Sequence, residues 1–362
     1  MAETGPPESD ELEVSLFGPG LGESVVVHLG EGEWIVVDSC RDRQRRKPAA
    51  LAYFERMGID PATSVRAVVA THWDSDHIRG LAEIVEACPD APFWCTAAVD
   101  TDEFEALLDL TERRPDELGV RLKELAQIEA RRREHFGEGS GLRFALESTL
   151  LLERHAKDNL PRRAVVALSP SSRSLLHAVE NVRHVLSDRM EIPKRVQQLS
   201  RNDTSVVLMI RFGEDAALLG ADLERSTDRR RGWSSVVRRA RELEIRAGMV
   251  KIPHHGSADA DDAQMWKDLL TSSPAAALTP FLAGTDPLPR VTDRTRIRGY
   301  TPYAYITRAG IAEGVAPLIA AALPRDAELK ALEGRVGHTR WRRKAGESDQ
   351  WRIELDERAT PL

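Results

Sequence analysis

The chain has 362 residues, 41% of them hydrophobic, 30% charged and only 5% aromatic, a balance that excludes disorder of the whole chain and a collagen-like or low-complexity protein. Its 51 Lys+Arg against 58 Asp+Glu leave a formal net charge of −7, which argues against a nucleic-acid-coating protein with a broad positive field. The acidic start MAETGPPESDELE is unlike a signal peptide, apolar stretches such as Val315–Pro324 are too short to cross a bilayer, and Cys40, Cys88 and Cys95 form no CxxC pair, so a reduced, cytoplasmic setting without a membrane partner is expected.

A strand-like stretch, Glu11–Phe17, is followed by a Gly-rich turn at Gly18–Gly22. The apolar runs Ser24–Leu29 and Trp34–Asp38, joined by GEGE, carry a hairpin signature. Pro48–Gly58 places Leu51, Phe54 and Met57 on one helical face. Val65–Thr71 is β-branched and apolar with little alternation, as in a strand covered on both faces. From about Asp100 to Gly141, residues such as Phe104, Leu107, Leu108, Leu118, Leu122 and Leu125 recur at helical intervals amid dense charge. Arg114–Pro115 breaks that run into two or three amphipathic helices. Ala164–Leu168 returns to strand, and the cap-rich Ser169–Ser174 leads into a helix, Leu175–Leu186.

Thr204–Phe212 and Ala216–Gly220 read as strands around a turn at Gly213–Asp215. An arginine-rich helix then leads to the strand Met249–Ile252, and Gly337–Arg343 with Gln350–Leu355 reads as a closing hairpin. Strand pairs alternating with helices in both halves predict two β-sheets with helices packed outside them. The predicted organisation is a flexible tail over 1–12 and one domain over 13–310 with a helical insertion at 100–163. A C-terminal helix and β-hairpin, 311–362, pack on that same domain.

The chemistry concentrates in THWDSDHIRGL, which starts at Thr71. His72, Asp74, Asp76 and His77 are potential metal ligands just beyond a buried strand, and imidazole nitrogen with carboxylate oxygen suits Zn²⁺, Mn²⁺ or Fe²⁺. A polar helix N-terminus is the plainer reading of the same residues. Two distant features favour metal. Leu218-Leu219-Gly220-Ala221-Asp222 puts a carboxylate beyond a second apolar strand, and Pro253-His254-His255-Gly256-Ser257 puts two histidines beyond a third.

These motifs resemble the metallo-β-lactamase fold hydrolases, and more narrowly the branch containing the C-terminal domain of the competence protein ComEC. Asn202 and Ser205, ahead of the strand Val206–Ile210, follow the same order. The resemblance implies an α/β fold, a four-layer αββα sandwich, over roughly residues 13 to 310. It implies two divalent ions, zinc or manganese. His72 and Asp74 match the positions that hold the first, and Asp76 and His77 those that hold the second together with a histidine of the doublet. Asp222 matches the bridging carboxylate. His254, nearest the strand end, is the favoured ligand, leaving His255 to orient a ligand or protonate a leaving group. Asp38 matches a supporting strand-end aspartate.

Asn202 stands where many members carry a histidine, which makes the first site oxygen-rich and weaker. Phe281–Arg290 replaces the Asn-Tyr-Gly-His-Pro loop of the ComEC branch.

The leading functional expectation is a metal-dependent phosphodiesterase or nuclease acting on nucleic acid or a nucleotide-like molecule. In it Asp76 or Asp222 takes a proton from water, and Arg79 or Arg290 binds phosphate. The alternatives are hydrolysis of an amide, ester or lactone, and a degenerate binding or regulatory protein on the same fold. His28, His135, His155, His177, His184 and His338 are read as structural. Trp73 is read as packing, with base stacking as its alternative. The basic runs Arg41–Lys47, Arg131–Arg133, Arg229–Arg231 and Arg342–Lys344 leave room for a local groove.

Overall fold

A computed structural model describes residues 5–19, 22–42, 46–102, 117–137, 142–157, 160–187, 202–282, 287–308, 336–346 and 351–362. Their strands form two eight-stranded sheets and a two-stranded ribbon of Arg41–Asp42 with Lys47–Pro48. Across the first lie Arg352–Leu355, Val336–Lys344, Glu11–Pro19, Ser24–Leu29, Trp34–Val37, Val65–Ala70, Phe93–Thr96 and Leu142–Ala145. Across the second lie Thr360–Pro361, Ala304–Ile306, Leu270–Leu278, Ala247–Lys251, Asp215–Leu219, Leu208–Phe212, Arg163–Ala167 and Leu150–Arg154.

Alternating side chains build the layers. Val25, Val27 and Leu29 face the second sheet while Val26 faces outward, and Ile35 and Val37 face in while Trp34 and Val36 face out. In the second sheet Leu208, Ile210, Ala217 and Leu219 face in, and Met209, Ala216 and Leu218 face out. Each fully buried Val, Leu or Ile contributes ~1.5–3 kcal/mol relative to exposure, so every such strand is stabilised from both sides.

Helices cover both outer faces. Ala49–Met57, Leu81–Ala87, Glu117–Phe136 and Ser172–Ser187 pack on the first sheet through residues such as Phe54, Ile84, Ile128 and Val185. Gly232–Ala240, Ala263–Leu269 and Val291–Tyr300 pack on the second through Trp233, Met265 and Ile297. The result is a helix–sheet–sheet–helix sandwich, the fold class expected from the sequence.

The boundaries differ in places. Glu11 and Leu12 already lie buried in the first strand, so the described chain is ordered before residue 12. Leu142–Ala145 and Leu150–Arg154 are edge strands, one in each sheet, so the helical insertion stops short of residue 163. Both are short and charge-flanked, which hides their period. Residues 103–116, the expected C-terminal helix within 309–335, and 283–286 of the Phe281–Arg290 loop lie outside the described residues. The closing hairpin pairs antiparallel and extends the first sheet beside Glu11–Pro19.

Among the described residues of the basic runs, several arginines meet acidic or carbonyl partners. Arg41 pairs with Glu83, Arg131 with Glu86, Arg230 with Asp228, and Arg342 with the buried Glu13, while Arg132 donates to the Ala91 carbonyl. Among the described residues, no helix is long and apolar enough to cross a membrane.

Candidate metal centre

Parallel pairing gathers the carboxyl ends of strands. Trp34–Val37 runs parallel to Val65–Ala70 in the first sheet, and Ala247–Lys251 runs parallel to both Asp215–Leu219 and Leu270–Leu278 in the second. The turns leaving those ends carry Asp38, Thr71 to His77, Asp222, the histidine doublet and Thr279. Four non-glycine residues there are left-handed: Asp38 (φ 57), Ala221 (φ 45), His254 (φ 46) and His255 (φ 52). Such backbone costs of order 1–3 kcal/mol per residue and persists where the surroundings over-determine it, which is characteristic of functional sites.

Asp76, His77, Asp222 and His255 each bring one donor atom into a group whose members all lie within 4.8 Å of one another. His77 Nε2 is 3.3 Å from Asp222 Oδ2 and 3.8 Å from Asp76 Oδ2. His255 Nε2 is 3.5 Å from Asp76 Oδ2 and 3.8 Å from Asp222 Oδ2. Only Asp76 opens toward solvent, its side chain 25% exposed against 5% for Asp222. Beside the group, His72 packs on His77 with ring centroids 4.2 Å apart, and its Nε2 is 3.8 Å from Asp74 Oδ2.

Outer partners set the tautomer of three rings. His77 Nδ1–H donates to Asp38 Oδ2 at 2.8 Å. The Thr71 hydroxyl donates to that same oxygen at 2.7 Å, so its own oxygen accepts from His72 Nδ1–H at 3.0 Å. His255 Nδ1–H donates to the Thr279 carbonyl at 3.1 Å. With Nδ1 carrying the hydrogen, each neutral ring keeps its lone pair on Nε2. The Nε2 atoms of His72, His77 and His255 are all buried without a hydrogen-bond partner. Leaving one such group unsatisfied costs ~1–3 kcal/mol; a bound cation, or for His77 and His255 a proton shared with Asp222 or Asp76, removes that cost. A divalent cation fits: the imidazole–carboxylate separations suit donors ~2.0–2.2 Å from one ion.

Electrostatics support the same fit. Burial disfavours a charged His77, yet Asp222, Asp76 and Asp38 raise it well above the usual imidazole range. Burial opposes a charged His255 too, and Asp222, Asp76 and Glu23 raise it. Burial would raise Asp222 and Asp76, but the neighbouring His77 and His255 hold both below the ordinary carboxylate range, with Lys251 adding to the effect on Asp222. His72, buried and beside His77, is pushed down to about 3. The carboxylates demand positive charge; protons on His77 and His255 supply it when no metal does, and a bound cation would displace them.

The doublet divides. The sequence favours His254 as the ligand, but the structure brings His255 into the group and turns His254 aside. His254 Nδ1 is 3.3 Å from Glu224 Oε1, an oxygen that also accepts from Asn202 Nδ2 at 2.7 Å. Two successive left-handed residues swing the first ring outward and the second inward. Asn202 itself stands 3.5 Å from His254 Nε2.

Trp73 is 5% exposed and belongs to the outer core, which leaves it no open face for a base. Arg290 follows Pro289, which packs against Gly256 of the doublet turn, while Arg79 follows the short helix Ser75–Ile78. His28 is a satisfied sheet residue, bonded to the Glu11 carbonyl and the Gly32 N–H.

Sequence reasoning missed Glu23, Glu224, Lys251 and Thr279. Lys251 carried a signal, as a lone charge in the otherwise apolar Met249–Ile252; Glu23, in a Gly-rich turn, carried none.

The chain belongs to the metallo-β-lactamase superfamily, which it matches over residues 17–264. Among solved structures it is similar to the metallo-β-lactamase fold protein YhfI from Bacillus subtilis, at 12% identity, 83% of this chain and 98% of that one, with a TM-score of 0.41. It is also similar to the metallo-β-lactamase SMB-1, at 14% identity over 69% of this chain and 81% of that one, with a TM-score of 0.35. A third likeness is MEM-A1, a subclass B3 metallo-β-lactamase from a soil metagenome library, at 11% identity over 70% and 82%, with a TM-score of 0.34. No curated protein matches the chain.

Proposed function

We propose that this chain is a metal-dependent hydrolase that cleaves phosphodiester bonds in nucleic acid or a nucleotide-like molecule, akin to the ComEC branch. The observation that carries the reading is the convergence of the buried Nε2 atoms of His77 and His255 on the carboxylates of Asp76 and Asp222, with the buried Nε2 of His72 beside them. Asp76, His77, Asp222 and His255 would hold one divalent ion, and His72 with Asp74 would form a weaker site for a second. A bound zinc or manganese ion supplies Lewis acidity and lowers the pKa of water toward ~7. What supports a phosphoryl substrate is the half share of carboxylates in the donor set, which admits harder ions that prefer oxygen.

The side chains divide the remaining work. Asp76, the exposed edge of the group, accepts a proton from incoming water on the carboxylate oxygen that Oδ2 leaves free, while Asp222, nearly inaccessible, acts as a holder. His254 lies outside the group, partly exposed and paired with Glu224, and delivers a proton to the leaving oxygen. Asp38 and Thr71 keep His77 and His72 facing inward.

The test is a panel of bis-aryl phosphate, DNA, cyclic nucleotides and a β-lactam, run with Mn²⁺, Zn²⁺ and Mg²⁺. Diester turnover that falls at least ~100-fold in Asp76→Ala is the expected result. Full diesterase activity in that variant overturns the assignment, and turnover of the lactam alone moves the reading to amide, ester or lactone bonds.

A further inference from the structure

Behind the four donors lies a pair of charges that no ligand role uses. Lys251 and Glu23, 1% and 2% exposed, form an ion pair through Nζ and Oε1. The ammonium has three hydrogens, and three acceptors surround it: Glu23 Oε1, the Ala221 carbonyl at 2.8 Å, and Asp222 Oδ1 at 3.5 Å. Asp222 therefore has Oδ1 beside Lys251, while Oδ2 faces His77 and His255. The Ala221 carbonyl also accepts from the His254 N–H at 3.0 Å, so one lysine secures the left-handed turns on either side of it.

Glu23 reaches the other side of the group. Its Oε2 accepts the Thr279 hydroxyl at 2.5 Å, and that same residue's carbonyl accepts from His255 Nδ1–H. Its backbone N–H donates to the Asp76 carbonyl at 2.8 Å. Glu23 is thus tied to three of the four donors: to Asp76 directly, to His255 through Thr279, and to Asp222 through Lys251. A buried ion pair is weak evidence of stabilisation, since apolar residues of similar size often serve the fold as well. Its placement here asks for another reason.

We propose that Glu23 and Lys251 are positioning residues: their ion pair fixes Asp222 by one oxygen and His255 by one tautomer, so that the donors stand in place before a cation arrives. The inference rests on the reading of the group as a divalent-cation site. Electrostatics alone gives the opposite sign for the lysine, because removing a cation beside Asp222 should tighten metal binding. Positioning requires that binding weaken.

The test is the charge-neutral double variant Glu23→Gln/Lys251→Met, titrated metal-free with Zn²⁺ and Mn²⁺ in competition with a chelating dye. Thermal unfolding of the metal-free protein and the absorption spectrum of the Co²⁺ form are recorded in parallel. The expected result is a dissociation constant raised about tenfold or more, with a changed Co²⁺ spectrum and metal-free unfolding close to that of the parent. A folded double variant that binds as the parent does overturns the proposal. Should that variant not fold, Thr279→Val removes one hydroxyl and no charge. Several-fold weaker binding restored by Thr279→Ser then supports the proposal, and unchanged binding overturns it. A parent that binds no divalent ion is a different failure, that of the cation-site reading itself.

Discussion

Asp38 and His77, 39 positions apart in sequence, share a hydrogen bond of 2.8 Å from Nδ1–H to Oδ2. That bond joins the segments leaving two parallel strands of one sheet and decides which nitrogen of His77 faces the donor group. Asp38 also takes the Thr71 N–H on Oδ1 and the Thr71 hydroxyl on Oδ2, both at 2.7 Å. One carboxylate therefore orients two of the inward-facing histidines.

Asp38→Asn keeps the size but places an N–H₂ where one of those hydrogens is now accepted. The expected outcome is a ~10–100-fold loss of zinc affinity, read by titration of the metal-free protein. Unchanged affinity would show that the rings hold their orientation without Asp38.

Gly22 is placed by its neighbour rather than by turn preference alone. Its φ is +125°, and a Cβ there would stand 1.9 Å from the Asp76 carbonyl oxygen. Gly22→Ala forces the Asp76 turn away or strains the backbone, at a cost of about 1–3 kcal/mol. Urea unfolding should show the loss, and metal affinity should fall with it. A variant as stable as the parent would mean that the turn accommodates the methyl group.

His28 gives a pH dependence of known sign. Burial, with Arg342 and Arg163 nearby, pushes it down to about 4 despite its bond to the Glu11 carbonyl. The unfolded chain binds a proton near pH ~6.5 and the folded chain does not. The contribution is therefore complete above pH ~6.5 and is lost as pH falls toward about 4. Between pH ~7 and ~5 the parent should lose about 2 kcal/mol more than His28→Gln, measured by urea unfolding at each pH. Parallel losses in the two proteins would contradict this.

Much of the site is legible in the sequence because strand ends announce themselves. An apolar run closing on Asp38, on His72 or on Asp222 marks both the layer and the rim where a side chain emerges. The inner and outer faces of the sheets follow from alternation, as in Val25–Leu29. Less legible is what depends on backbone conformation without a glycine to flag it. Nothing in the pair His254–His255 signals two left-handed residues, so which ring turns inward emerges only in three dimensions. The strands Phe93–Thr96 and Leu270–Leu278 are hidden for another reason, since the first is short and the second carries the exposed Thr271, Ser272 and Ser273 followed by Pro274. Glu23 and Thr279 acquire their meaning only when the two sheets meet.

The most direct test is the metal content of the purified chain after stripping, reloading with Mn²⁺ or Zn²⁺ and desalting, compared with His77→Gln/Asp222→Asn. The expected result is a full equivalent of ion retained by the parent and almost none by the variant. Retention by neither protein, or equally by both, would contradict a cation site built from Asp76, His77, Asp222 and His255.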